Sequence, residues 1–323
     1  MKQIASVLPT SEHFKLAQIS EGVYAAVAIT EGGAFSNAGI IDLGEHTLIF
    51  DTFMTPQAAK DLQAAAEHLM GRPVTYVINS HAHSDHWCGN QVFGPPTTII
   101  ATHITRETMP QAIDYLKQFK KDPSALEKEI QKDQERLKTE TDARWRVTLE
   151  TSIVRMRSVL EELPKLDFRF PNQTFEKKLV FHGTGRMAEL LTVGEGHTSS
   201  DAYLLLPAER IMFIGDLGFF QSQPFMAHCD PQAWRAQLEK MEQSNIEIFV
   251  PGHGPLGTKK DIALQKQYIA MLKEIVAQAV REGQSPEEIV QQSLPSPFDA
   301  WLSGGMARFE ANVHSLYQRL SSQ

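Results

Sequence analysis

The sequence predicts an α/β (α+β) protein in which sheet and helix follow one another twice along the chain. Short β-rich runs occur at 23–30, 38–43 and 47–51, and similar runs return after Pro171. Helix-forming sequence follows each group of runs. With 42% hydrophobic and 22% charged residues, the 323-residue chain has an ordinary globular composition, which excludes collagen-like and disordered classes.

The first half of the chain is predicted to form an antiparallel meander, one helix and two further strands. Thr55, followed by proline, is a typical helix N-cap, and Gly71 is expected to end that helix. Strands are predicted at 74–79 and 98–101. The first of these two continues directly into Ser-His-Ala-His-Ser-Asp-His at 80–86, so this histidine-rich run is expected at the carboxyl end of a strand.

A helical insertion is predicted from about 104 to 165, where the sequence is charged, free of glycine and too long for a loop. Ser124 and Glu127 have the spacing of a capping box. Five apolar residues recur at steps of four and three and give one apolar face, namely Leu149, Ile153, Met156, Leu160 and Leu163. This face predicts packing on the body of the protein or on a second subunit, and the insertion could also form a lid over a site.

The second half is predicted to repeat the order of sheet and then helix. The expected strands are 179–182, 188–193, 202–206, 211–215 and 246–250. A helix is expected to begin at Asp230-Pro231, and a second capping box, Ser285 to Glu288, lies between two longer C-terminal helices. The last helix has apolar residues at helical spacing, which indicates that it covers core.

The side chains with metal-binding chemistry are concentrated in one H-x-H-x-D-H run. It consists of His81, His83, Asp85 and His86. Imidazoles two residues apart can point the same way at a strand end, and the following turn can bring a carboxylate and a third imidazole to a neighbouring point. Two adjacent metal sites are therefore expected. Three further candidates follow apolar β runs beside loop-forming glycines, namely His197, Asp216 and His253.

This ordered set resembles the metallo-β-lactamase superfamily of metal-dependent hydrolases, in which an aspartate that ends an early strand, here Asp51, precedes the histidine motif. The resemblance implies a four-layer αββα sandwich with the metals at one rim of its two sheets. It covers the chain to about residue 260. We expect a hydrolase domain at 1–260 that carries the insertion at about 104–165, and a C-terminal helical extension at 261–323 packed on the same domain.

The resemblance also implies two divalent metal ions per chain and assigns their ligands. They are His81, His83 and His197 for the first ion, Asp85, His86 and His253 for the second, and Asp216 as a bridge between them. Asp51 would hold a ligand loop through hydrogen bonds. Zinc is the expected metal, and iron and manganese are alternatives because imidazole and carboxylate ligands suit them as well.

Such a centre predicts hydrolysis by a metal-bound hydroxide, since zinc lowers the pKa of water from about 15.7 to about 7. Asp85 and Asp216 are the candidate proton acceptors. Dedicated dinuclear β-lactamases of the superfamily usually lack an aspartate at the position of Asp216, so the glyoxalase II-like and general-hydrolase branches are favoured. The alternatives are a phosphodiesterase of the same fold and a non-catalytic, metal-stabilised binding module whose insertion recruits a partner.

Aromatic residues near the motifs are candidates for a substrate pocket. They are Phe35, Trp87, Phe219, Phe220 and Phe225, and His228 lies close to the last of these. Such groups would bind an apolar portion of an ester, thioester, lactone or lactam. Core packing is the alternative for each of them.

Charge and cysteine content limit the partners. The formal charge of −8, from 31 basic and 39 acidic residues, argues against nucleic acid. The sequence has no apolar stretch long enough for a membrane span. Two cysteines and the lack of a signal-like apolar run at the amino terminus predict the cytoplasm. The expected partner is a small-molecule substrate, with a homodimer through the insertion as a further hypothesis.

Overall fold

In the computed structural model, which describes residues 8–301 and 305–322, the strands form two sheets. The first sheet contains, in spatial order, β1 (Phe14–Ser20), β2 (Val23–Ala28), β3 (Ala38–Asp42), β4 (Thr47–Phe50), β5 (Val74–Ile78), β6 (Thr98–Thr102) and β7 (Gln173–Phe175). The second contains β12 (Ile248–His253), β11 (Ile211–Phe219), β10 (Asp201–Leu206), β9 (Met187–Gly194) and β8 (Lys178–His182).

The directions of the strands bring several strand ends together at one rim of the two sheets. The first four strands pair antiparallel, whereas β4, β5, β6 and β7 pair parallel. In the second sheet β11 and β12 are parallel and the other pairs are antiparallel. Because parallel neighbours end at the same edge of a sheet, residues that follow β4 and β5 meet, and so do residues near the ends of β11 and β12.

The helices fall into three groups. One helix follows β4, four form the insertion between β6 and β7, and the others surround and follow β12. They are α1 (Pro56–Met70), α2 (His103–Ala112), α3 (Asp114–Lys121), α4 (Pro123–Thr139), α5 (Ala143–Glu162), α6 (Pro231–Gln243), α7 (Lys259–Glu282), α8 (Pro286–Val290) and α9 (Gly305–Ser321). No helix in the described part of the chain is long and apolar enough to cross a membrane.

Buried apolar side chains define four layers. Ile41 and Phe50 of the first sheet share a cluster with Leu204 and Phe213 of the second, so the sheets pack face to face. The outer face of the first sheet packs on α1. The outer face of the second packs on α6 and α7, and its cluster extends to α8 and α9. This confirms the predicted αββα sandwich. The division into residues 1–260 and 261–323 stays a prediction.

Local predictions succeeded where capping chemistry is unambiguous. Thr55 accepts a hydrogen bond from the amide of Ala58, and Gly71 ends α1 with a φ of 65°. The capping box predicted at Ser124 is wrong, because α4 begins at Pro123 and the side chain of Asp122 caps it. Two strands, β1 and β7, were not predicted. The second of these is only three residues long and follows the insertion.

Candidate metal centre

All seven predicted metal ligands lie together at the rim where the two sheets meet. The loop after β5 carries the motif at 81–86, the β9–β10 loop carries His197, and β12 ends in His253. Asp216 lies inside β11 rather than in a turn after it. The ligand atoms form two groups, each within 4.8 Å, namely His81, His83, His197 and Asp216, and Asp85, His86 and His253.

The carboxylate of Asp216 lies between the two groups. Its Oδ2 atom is 3.6 Å from Nε2 of His81 and 3.3 Å from Nε2 of His197. Its Oδ1 atom is 3.1 Å from Nε2 of His86 and 3.3 Å from Nε2 of His253. One oxygen therefore faces each group, which is the arrangement that a carboxylate shared by two cations requires.

Asp51, buried at the end of β4, orients two of the imidazoles. It accepts hydrogen bonds from the Ser80 amide and hydroxyl, both at 2.8 Å, and Nδ1 of His86 lies 2.7 Å from its Oδ2. The Ser80 hydroxyl donates its one proton to Asp51, so it accepts from Nδ1 of His81 at 2.9 Å. With both Nδ1 atoms protonated, the Nε2 lone pairs of His81 and His86 point into the cluster.

In His83 the Nδ1 atom, not the Nε2 atom, faces the cluster. Its Nε2 atom lies 3.1 Å from Nδ1 of His228, which anchors that side of the ring. Its Nδ1 atom lies 3.0 Å from Nε2 of His197 and so faces the cluster. His228 was predicted to line the substrate pocket, and in the structure it also contacts a candidate metal ligand.

Unpaired buried atoms show that the donor set fits metal ions. Nε2 of His81, Nε2 of His86 and Oδ1 of Asp216 are buried and form no hydrogen bond of normal geometry within the described residues, although the last two atoms lie 3.1 Å apart. Leaving such atoms unsatisfied is costly in a protein interior, and converging imidazole nitrogens and carboxylate oxygens are the ligands that zinc and similar cations prefer. The cluster is therefore suited to metal rather than to an internal hydrogen-bond network.

Ionisation states agree with this fit for five of the residues, including His253, whose pKa is lowered by burial. His86 differs, because burial alone lowers its pKa but the nearby carboxylates of Asp216, Asp85 and Asp51 outweigh burial and raise it. Burial lowers the pKa of His81 well below its usual value and that of His83 to about 3, so both rings are neutral at pH 7. Burial alone raises the pKa of Asp85 and Asp216, but the facing imidazoles outweigh it and lower both values. Neutral imidazoles and ionised carboxylates are the forms that bind metal.

Loop contacts that the sequence did not reveal hold the second group in place. The Asn37 side chain donates to the backbone oxygens of Pro251 and Gly254, both at 2.9 Å, on either side of His253. The Ser36 hydroxyl donates to the backbone oxygen of Asp85 at 2.6 Å. Single polar residues in a loop carry no distinctive sequence signal, so these roles could not be predicted.

The centre opens into a cleft with two lobes. The metal lobe, about 820 Å³, is lined by Asp85, Asp216 and His253 and by residues of α2 and α3. The insertion lobe, about 450 Å³, is lined mainly by α3, α4 and α5. Asp85 and Tyr115 line both, so the lobes adjoin. The insertion therefore forms a wall of the cleft, and its role as a lid stays a hypothesis.

The predicted pocket residues divide into two sets. Phe225 and His228 line the metal lobe, and Phe35 lines the insertion lobe. The other three, Trp87, Phe219 and Phe220, are at most 1% exposed and lie behind the site. The indole of Trp87 donates to the backbone oxygen of Ala82 at 2.9 Å. Phe219 stacks on the ring of His253 at 4.8 Å.

Comparison with known proteins gives one family match and many structural matches. The family model of the metallo-beta-lactamase superfamily matches residues 32–253. A metallo-beta-lactamase from Pontibacter korlensis is 16% identical, with a TM-score of 0.56 over 80% of this chain and 99% of that one. The metallo-beta-lactamase FIM-1 from Pseudomonas aeruginosa, solved in its mono-zinc form, is 15% identical, with a TM-score of 0.57 over 82% and 98% of the two chains. No curated protein matches this chain.

Proposed function

Because the chain belongs to the metallo-beta-lactamase superfamily, we propose that it is a dinuclear metal hydrolase acting on an ester, thioester, lactone or lactam carbonyl. The superfamily consists generally of metal-dependent hydrolases, and the cluster of histidines and aspartates could hold metal. The observation that carries the proposal is the position of the Asp216 carboxylate, with one oxygen directed at each of two ligand groups.

In this proposal the ligands are those expected from the sequence. His81, His83 and His197 hold one ion, Asp85, His86 and His253 hold the other, and Asp216 belongs to both. Zinc is the proposed metal, in keeping with the FIM-1 structure, which contains zinc. Bound metal ions would supply Lewis acidity, which lowers the pKa of water and polarises a carbonyl.

The two aspartates are proposed to differ in role. The side chain of Asp85 is 21% exposed and lines both lobes, whereas that of Asp216 is 3% exposed. Asp85 is therefore better placed to accept a proton from water or to deliver one to a leaving group. Asp216 is held among four imidazoles, and its role is to keep the two ligand groups together.

The lobe surfaces support a carbonyl substrate with an apolar portion. Phe225 lines the metal lobe, and Phe35, Phe119 and Met156 line the insertion lobe. Among the described residues that line the metal lobe, Arg308 is the one Lys or Arg side chain, which is few for a phosphodiester backbone. We therefore favour esters, thioesters and lactones over phosphodiesters, and the general-hydrolase branch over a dedicated β-lactamase.

A substrate panel with metal analysis tests the proposal. The purified chain is reconstituted with zinc, manganese or iron and assayed on chromogenic thioester, lactone, β-lactam and phosphodiester substrates. We expect close to two metal ions per chain and the highest kcat/KM on a thioester or lactone. A preference for the phosphodiester would establish the alternative enzyme, and tight metal binding without turnover would favour the non-catalytic module. Homodimerisation and location in the cytoplasm stay predictions.

A further inference from the structure

Two arginines, one from the helical insertion and one from a helix beyond the end of the family match, face the insertion lobe. Arg155 projects from α5 of the insertion, and Arg308 projects from α9 near the carboxyl terminus. Both line the insertion lobe, and Arg308 also lines the metal lobe. The lobe is therefore the place where two guanidinium groups from distant parts of the sequence meet beside Asp85.

Neither guanidinium has an acidic partner within the described ranges. The Nε atom of Arg155 is buried without a hydrogen-bond partner among the residues that the structure describes, and the guanidinium packs over the ring of Phe35 at 5.2 Å. Arg308 donates to the backbone oxygen of Gln223 at 3.1 Å and lies over the ring of Phe219 at 5.4 Å. Both contacts hold the arginines in position, and the carboxylates that attract them are those of the candidate metal centre, Asp85 for both and Asp216 for Arg308.

The nearby acidic groups have other partners. Asp133 accepts a hydrogen bond from Ser152 at 2.8 Å, and Glu129 is 3.8 Å from Lys132. Asp85 belongs to the proposed metal centre. Burial and the charge of Arg308 lower the pKa of Arg155 to about 10, so it remains protonated at neutral pH. Two like charges in a half-buried wall cost free energy unless an anion binds between them.

We propose that the insertion lobe is a carboxylate-binding subsite, in which Arg155 and Arg308 bind the carboxylate of a substrate whose scissile carbonyl lies in the metal lobe. The part concerning the scissile carbonyl rests on the proposed function. Planar guanidinium forks match a carboxylate geometrically. Glu129 and Asp133 at the same lobe oppose a dianion more strongly than a monoanion, which favours a carboxylate over a phosphate.

The proposed substrate is thus bifunctional, with an apolar spacer between its two polar ends. Phe35, Phe119 and Met156 line the same lobe as the arginines and supply apolar surface for that spacer. Asp85 and Tyr115 line both lobes, so a molecule anchored on the arginines can extend to the metal centre.

Equilibrium binding tests the subsite without requiring turnover. Titration calorimetry on the metal-loaded chain compares 4-phenylbutanoate with the neutral 4-phenylbutanamide. We expect the carboxylate to bind about tenfold more tightly or better, as charge-assisted hydrogen bonds predict. Arg155→Gln and Arg308→Gln should each remove most of this preference. Arg157→Gln, an exposed arginine on the same helix, should retain it.

Two results would overturn the subsite. One is equal binding of the acid and the amide to the unaltered chain, and the other is a preference that persists in both Arg→Gln variants, because the carboxylate would then be binding the metal. Arg155→Lys, which keeps the charge and loses the fork, should retain part of the preference and guards against a variant that fails to fold. If the substrate panel shows no hydrolysis while this preference holds, the proposed function fails and the subsite stands.

Discussion

The metal cluster is built from strands and the loops beside them, whereas the insertion lobe is built mainly from helices. Every described side chain of the cluster comes from a strand or from a loop beside one, within the family match, and several rings are fixed by a second polar group such as Asp51. The insertion lobe is walled largely by helices, and its two arginines have no acidic partner in the described chain. The sheets therefore place the candidate metal ligands, whereas helices of the insertion and of the carboxyl-terminal region build the second lobe of the cleft.

Removing the charge shared by both ligand groups should give the largest effect. Asp216→Asn keeps the side-chain volume but removes the negative charge and replaces one oxygen by an amide nitrogen, which does not bind a metal ion. Metal affinity and kcat/KM should therefore both fall by at least about 100-fold. Metal analysis after dialysis and the thioester assay measure this. Asp299→Asn, at an exposed position, is the control. Full metal retention in Asp216→Asn would show that metal binding does not depend on the shared carboxylate.

A single methyl group should also disturb the cluster. A Cβ at Gly252 would lie 2.0 Å from Oδ1 of Asp216, whereas one at Gly94 would meet nothing within 4 Å. Gly252→Ala should therefore lower the free energy of unfolding by about 1–3 kcal/mol and weaken metal binding, since overpacking a rigid site is destabilising. Urea unfolding of both variants provides the measurement. Equal stability of Gly252→Ala and Gly94→Ala would contradict the close packing.

Loss of the orienting carboxylate should come next. Asp51→Asn removes the acceptor for Nδ1 of His86 and for the Ser80 hydroxyl, so metal affinity should fall about 10- to 100-fold while the fold is retained. Competition with a chromogenic chelator measures the affinity, and circular dichroism checks the fold. An unchanged affinity would show that the strand framework alone orients the rings.

The smallest effect is expected from removing His228, which lines the metal lobe beside His83. His228→Ala removes the contact at 3.1 Å with Nε2 of His83, and metal affinity should fall by about tenfold at most, because His228 is exposed. His314→Ala, an exposed histidine of α9, serves as the control. A loss as large as that of Asp216→Asn would mean that His228 itself binds metal.

The sequence predicted the sandwich and the positions of all seven candidate ligands, because strand periodicity and the H-x-H-x-D-H run are local signals. It did not predict which way the rings face, since the roles of Ser80 and His228 depend on contacts across loops. Trp87 and Phe219 were expected in the pocket, yet both are buried. An aromatic residue next to a ligand can pack either in front of the site or behind it, and sequence spacing does not distinguish the two.

The meeting of two arginines in the insertion lobe could not be predicted from the sequence. Arg155 and Arg308 are 153 positions apart in the sequence, and each lies on a helix that carries other charged residues. Only the packing of α5 against α9 brings them to one cavity. The sequence predicted that the insertion has an apolar face but left open whether that face covers the site.

Anomalous diffraction from crystals of the zinc-loaded chain, measured at the zinc absorption edge, tests the central claim most directly. We expect two peaks, one on either side of the Asp216 carboxylate, about 3.5–4 Å apart as in other two-metal sites. One should lie among His81, His83 and His197, and the other among Asp85, His86 and His253. A single peak, or peaks elsewhere on the molecule, would contradict a dinuclear centre.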